Sequence, residues 1–231
     1  GFCTTGEVIE FAVRENNYLG KGLGVDTALS LGSSKVSGKF NITNPNFNNT
    51  DKSLRFGLEA LEYDRLTNFG YKSNRIGSSI GTNFEYLDDF RLGLESSIFL
   101  EKIETNSTAS ARQKKQAGNY FDNYINYSLD YDLRNKRFRP DEGFRNIFRQ
   151  ELPLVSDNYE IVNSFETTRY QKISEMVTKV SFYGKAVNTL SNDDVRISKR
   201  LFMPSSKLRG FEAGKIGPTD NNDHIGGNYI S

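Results

Sequence analysis

The stretch FRLGLESSIFLE, residues 90–101, alternates in character from end to end. Phe90, Leu92, Leu94, Ser96, Ile98 and Leu100 share one parity; Arg91, Gly93, Glu95, Ser97, Phe99 and Glu101 share the other. Successive side chains of a strand point to opposite faces, so this is a ribbon with one apolar and one polar side. A helix of 3.6-residue period would scramble the two sets.

The same scheme recurs on both sides. Val36, Gly38, Phe40 and Ile42 oppose Lys35, Ser37, Lys39, Asn41 and Thr43; Leu54, Phe56, Leu58 and Ala60 oppose Arg55, Gly57 and Glu59. Ile76, Ile80, Phe84 and Tyr86 oppose Arg75, Ser79, Asn83 and Glu85. Phe121, Ile125, Tyr127, Leu129 and Tyr131 oppose Asp122, Asn126, Ser128, Asp130 and Asp132. The pattern predicts strands near 7–17, 21–31, 34–43, 53–63, 73–86, 90–103, 119–132, 144–153, 159–170 and 175–188, with partial strands at Gly1–Cys3 and from Gly226 onward. No sustained helical period occurs. One set of connections is short or strongly patterned (ENNYLGKG, TNPNFNNTDKS, YLDD, RNKRFRPDEG). The other is more variable and polar (LGSSK, DRLTNFGYKS, ETNSTASARQKKQAG, VSDN and the long stretch 190–226). Alternation of this kind fits an up-and-down sheet with different loops at its two ends.

Composition narrows the function classes. Of 231 residues, 36% are hydrophobic and 13% aromatic, all Phe or Tyr, which is too aromatic for a disordered chain. With 30 basic and 29 acidic residues there is no charge excess to attract a nucleic acid. Cys3 is the single cysteine and His224 the single histidine, so neither a disulfide within the chain nor a Cys/His metal site is expected. No apolar run is long enough for a transmembrane helix, and no leader pattern stands at Gly1. The chain reads as a fragment.

Two architectures accept many alternating strands. A soluble sandwich buries the apolar face; a membrane barrel turns it to lipid and lines a wet lumen with the polar one. Segments of about ten to twelve residues match a tilted strand crossing a bilayer, whereas soluble strands run closer to five or six. The polar parity carries many full charges, and aromatics gather near strand ends (Tyr18, Phe47, Tyr63, Phe69, Tyr86, Phe90, Tyr131, Phe138), as in interfacial girdles. These features favour the membrane barrel. The carboxylates Asp130, Asp132, Asp141 and Glu142 have no pattern that fixes a catalytic pair, and no serine near Asp223 and His224 has the context of a hydrolase triad. No enzymatic activity and no cofactor are expected.

Five blocks, ENNYLGKG (15–22), NITNPNF (41–47), YDLRNKRFRPDEGFR (131–145), LFMPSSKLRGFEAGKIGP (201–218) and IGGNYIS (225–231), occur in an order and spacing that resembles the BamA family of outer-membrane β-barrel assembly factors. The resemblance covers essentially the whole chain, from near the end of that family's first strand to the start of its twelfth. It implies an all-β, transmembrane, antiparallel up-and-down barrel with about twelve of roughly sixteen strands present. Both the periplasmic POTRA domains and the C-terminal strands would lie outside this sequence. It implies a loop at 189–225 folded into the lumen, with Arg209, Gly210 and Phe211 at its tip. Arg209 would offer a planar fork of donors to a carboxylate, Gly210 a close backbone approach to the wall, and Phe211 an apolar anchor. Gly1, Phe2 and Cys3 would be the remnant of the strand at a lateral seam. The implied function is insertion of unfolded barrel proteins into the bacterial outer membrane. Outer-membrane lipids and accessory lipoproteins, the latter reached through the POTRA domains, would be partners. Related transporters (TamA and two-partner secretion barrels), a passive porin, or a soluble β-sandwich binding module are the alternatives.

Overall fold

The computed structural model describes residues 8–203, 208, 210–211, 214–220 and 223–230. Ten long strands follow one another: β1 (Val8–Tyr18), β2 (Leu23–Gly32), β3 (Lys35–Asn44), β4 (Ser53–Arg65), β5 (Tyr71–Leu87), β6 (Phe90–Thr105), β7 (Gly118–Asp132), β8 (Gly143–Ser156), β9 (Glu160–Ile173) and β10 (Met176–Thr189). Three two-residue strands complete the chain, β11 (Thr219–Asp220), β12 (Asp223–His224) and β13 (Tyr229–Ile230). Each long strand pairs antiparallel with its sequence neighbours, and β13 joins the outer side of β10, giving an 11-stranded up-and-down sheet. It is not closed: among the described residues β1 pairs only with β2. The expected strand remnant Gly1–Cys3 lies outside the described residues.

The ten long strands expected from alternation appear, and the central ones are longer than the pattern suggests, reaching 17 residues in β5 and 16 in β6. Register keeps like parities together. Rows such as Phe56–Ile80, Ile76–Leu100 and Leu100–Phe121 are directly opposed pairs on one face. That apolar face is the open one: Ile76, Ile80, Leu94, Ile98, Leu100, Val180 and Phe182 are all exposed. The buried residues Ser73, Ser97, Glu101, Asp122 and Tyr124 belong to the polar face. This is the inverse of a soluble sandwich, whose core would consist of the apolar face.

The two ends of the sheet differ. At one end tight turns join β1–β2, β3–β4, β5–β6, β7–β8 and β9–β10. Every non-glycine residue with positive φ among the described residues stands in these turns: Leu19, Asn48, Asn49, Asp89, Arg139 and Ser174. In the β7–β8 turn Gly143 has φ +95°, and a Cβ there would run into the Leu133 carbonyl oxygen, so only glycine fits. At the other end the connections are uneven, from the short β2–β3 turn to the long β6–β7 segment, and carry two short helices, α1 (Leu66–Phe69) and α2 (Ala111–Lys115). The latter connection, variable and polar in sequence, is folded. Ser110 accepts from the Gln113 amide while the Gln113 side chain accepts from the Ser110 amide, a reciprocal cap. Gln113 is buried and donates to the Phe69 carbonyl at 2.9 Å.

Candidate functional site: a loop seated on the polar face

After β10 the chain turns back over the polar face. The segment 194–201, DVRISKRL, has no regular structure, yet Val195, Arg196, Ile197 and Leu201 are all buried. Arg196 is its centre and has no solvent exposure. Nη1 and Nη2 donate to the two Asp122 carboxylate oxygens at 2.7 and 2.9 Å, and Nη1 also reaches Glu101 Oε2 at 2.9 Å. The Tyr120 ring lies 4.1 Å below the guanidinium carbon, and the Arg196 amide donates to Glu160 Oε1 at 2.6 Å.

The seat is therefore built from β6, β7 and β9, whose inward parities the sheet register aligns. Glu101 opposes Tyr120, and Phe99 opposes Asp122. Glu101 is further held by Ser73 (2.6 Å) and by Ser198 of the same loop segment (3.0 Å). Burial opposes the charge on Arg196, but the Asp122 and Glu101 carboxylates outweigh it and hold its pKa above the ordinary value. A second cation stands nearby: Lys199 is 3.9 Å from Glu151 with its ammonium over the Tyr124 ring. Burial pushes the Lys199 pKa down.

Apolar contacts flank the charges. Val195 and Leu201 meet Val162 and Val187 of the wall, with Ile230 against them. Ile197 meets Tyr71 and Ile103, with Phe69 and Tyr120 alongside. Here the wall's alternation inverts: Lys102 is exposed and Ile103 is buried on the otherwise polar face. Val162 and Val187 invert the pattern in the same way, and these inversions are the sequence signal of a covered patch. Beyond the seat, Leu201 exchanges both backbone hydrogen bonds with Gly227 at 2.8 Å, and Arg200 donates to the carbonyls of Ile225 and Gly226. The returning chain is tied down at β11, where Asp220 accepts from Ser110 at 2.6 Å. Gly214 passes so close to Phe69 that a Cβ would stand 2.5 Å from its ring.

The expected tip residues are placed differently. Arg209 lies outside the described residues, as do Gly1, Phe2 and Cys3. Gly210 has φ +86° and a Cβ there would meet nothing within 4 Å, so backbone conformation, not a close approach to these strands, requires the glycine. Phe211 exposes 61% of its surface and is not packed on this part of the wall. The residue that fixes the loop here is Arg196, which sequence reading passed over in a run that looks like a charged surface segment.

Of the four other carboxylates singled out by sequence, Asp130, Asp132 and Asp141 are paired with cations. Asp130 takes Arg145 in a two-pronged contact, Asp132 takes Arg134 at 2.7 Å through both nitrogens, and Asp141 meets Lys136 at 3.5 Å. Among the described residues no group of His, Cys, Asp and Glu side chains is arranged to hold a metal ion. What the site does chemically is hold a non-regular segment against a polar wall by buried charge.

Comparison with known proteins gives a consistent setting. A family model described as the Omp85 superfamily domain matches residues 17–231. The chain is similar to the outer membrane protein assembly factor BamA of Neorickettsia risticii (strain Illinois), 26% identical over 166 residues, 69% of this chain and 22% of that protein. It is also similar to the sorting and assembly machinery component 50 homolog of Homo sapiens, 29% identical over 125 residues, 52% of this chain and 26% of that protein. The crystal structure of BamA from Haemophilus ducreyi lacking POTRA domains 1–3 superposes with a TM-score of 0.82 at 18% identity, over 97% of this chain and 51% of that one. The chain thus spans about a quarter of the curated relatives and about half of the solved one. The structural likeness carries the fold: the polar face is the lumen side of a barrel wall, and the apolar face its outside.

Proposed function

Because the chain belongs to the Omp85 superfamily, we propose that it forms part of a barrel in the bacterial outer membrane that folds and inserts other outer-membrane β-barrel proteins. The physical problem such a barrel addresses is the unpaired strand. In hydrocarbon every backbone N–H and C=O must find a partner, so a client strand has to be hydrogen-bonded as it enters. A strand edge on the barrel supplies those partners by β-augmentation. The lateral seam where this occurs is assigned by resemblance to the strand of which Gly1–Cys3 are the remnant. Unfolded barrel proteins and membrane lipids are the partners this requires, and accessory lipoproteins would act through POTRA domains outside this sequence. The chemistry is non-covalent.

The observation that carries the reading is the loop seated by Arg196. A passive pore needs an open lumen, whereas here a buried ionic seat and two apolar clusters commit the wall to holding a segment inside it. The seat fixes the loop's base, and the Arg209–Gly210–Phe211 tip is then presented further along the same tethered segment, where Arg209 would engage wall strands beyond this sequence.

The test is reconstitution of the full-length protein in vesicles with an unfolded client barrel, its insertion followed by the heat-modifiable band. Arg196→Ala and Arg209→Ala are each expected to leave the wall folded and to slow insertion. If insertion proceeds at the wild-type rate in both variants although proteolysis shows the loop released, the loop has no part in the activity and the proposal fails.

A further inference from the structure

Charged side chains on the outside of the wall fall into two groups. At the long-loop end they neutralise one another: Lys72 meets Glu62 at 2.8 Å and Lys102 meets Glu104 at 2.5 Å. At the tight-turn end Arg169 stands on the same outward face with no such partner. It is exposed, sits directly opposite Phe144 on β8 and Val180 on β10, and forms no ion pair with any described carboxylate. Phe144 belongs to a line of outward aromatics, with Tyr131 5.8 Å away and Phe90 6.3 Å beyond that. Aromatic lines of this kind mark the membrane–water boundary. An arginine among them, without a carboxylate, needs an anion that the membrane itself supplies.

The β7–β8 turn rises beside this position. Its base is rigid: Leu133 donates to the Phe144 carbonyl at 2.9 Å, Asn135 donates to the Glu142 carbonyl at 3.2 Å, and Arg134 is bound to Asp132. Its tip reads Lys136, Arg137, Phe138, Arg139. Lys136 is engaged by Asp141, but Arg137 and Arg139 have no partner among the described carboxylates, and Phe138 between them is 78% exposed with the Arg139 guanidinium 5.3 Å from its ring. A rigid turn that holds an unsatisfied aromatic and two unsatisfied guanidiniums at a boundary already marked by an aromatic line is shaped for an anionic surface.

We propose that Arg169 and the Arg137–Phe138–Arg139 turn tip form a binding site for the phosphate headgroups of anionic phospholipids in the leaflet at the tight-turn end. Guanidiniums donate to phosphate oxygens in pairs, and Phe138 between the two arginines offers an apolar contact beside the headgroups. The site ties the barrel to one leaflet at the β7–β9 side of the wall. Its ligand is a lipid that stays bound, distinct from the client strand of the previous section, although both rest on reading the apolar face as lipid-facing.

The experiment uses the full-length protein refolded in phosphatidylcholine vesicles with and without phosphatidylglycerol, and reads the urea midpoint. Phosphatidylglycerol is expected to raise the midpoint of the wild type. Arg169→Gln, and the pair Arg137→Gln with Arg139→Gln, are expected to lose most of that rise, while Arg169→Lys retains part of it and Lys102→Gln, at the opposite end, retains all of it. Equal rises in every variant would overturn the site. So would protection of Arg137 and Arg139 from modification by phenylglyoxal in detergent free of anionic lipid, because the turn would then be covered by protein. A wild-type protein that gains no heat-modifiable form in either vesicle would overturn the membrane reading itself, a result distinct from a folded barrel indifferent to phosphatidylglycerol.

Discussion

Arg196 and its carboxylates form a buried ion pair in which removing one partner strands the other. Arg196→Ala would leave Asp122 and Glu101 inside without a cation, a change that typically costs about 3–5 kcal/mol. Arg196→Lys keeps the charge and loses the fork, so it should recover only part of that. Urea titration of the full-length barrel in vesicles measures both, and limited proteolysis between 190 and 225 shows whether the loop has left the wall. Equal stability of Ala and wild type would mean the pair contributes nothing. Gly143→Ala tests a different residue-level constraint. With φ at +95° and the Leu133 carbonyl in the way, alanine should destabilise by about 1–3 kcal/mol, read in the same titration. Neither residue advertises itself in the same way. Gly143 was visible from the sequence because a glycine after RPDE reads as a turn. Arg196 was not, because burial of DVRISKR depends on partners 74 and 95 positions away.

At the scale of elements, the strands were the most legible part. Their period of two is dictated by geometry, and a face that meets lipid must be apolar along its full length. The sequence pattern lost the ends of β5, β8 and β9, where inward and outward preferences stop differing. Ile103, Val162 and Val187 face inward against the apolar side of the loop, so a rule that expects polar residues inside misreads them. The inside-out assignment has a direct test on β6. Ile98 is near the middle of the strand on the outward face, and Ile98→Arg should cost about 2–4 kcal/mol. Glu95→Gln, on the inward face beside Arg55 and open to the lumen, should cost under about 1 kcal/mol, since a half-exposed pair is screened. The reverse ranking in a vesicle urea titration would turn the wall inside out.

For the whole molecule, the open sheet is the feature with the largest consequence for handling these 231 residues alone. Among the described residues the outer edge of β1 is unpaired and that of β10 is bonded only over Lys185–Val187, and such edges cannot be solvated by hydrocarbon. The isolated chain is expected to aggregate or to bind detergent as an incomplete sheet. A monodisperse, heat-modifiable monomer on a cold gel would contradict that. The overall architecture was readable from the alternation and the family likeness from five ordered blocks, which sit mostly in turns and loops. The location of the loop's base was not, because no block contains Arg196.

The seat also bears on how the wall assembles in time. Glu101, Asp122 and Glu160 come from three strands, and a slip of one residue between any two would swing a carboxylate to the lipid side. Arg196, which follows all three in the chain, finds its partners only when the pairings are in register. The ionic seat is thus a late proofreading step, closing over a correctly threaded wall and leaving a mis-threaded one unlatched. Its contacts span long loops, so they should be absent from the folding transition state and slow unfolding rather than speed folding.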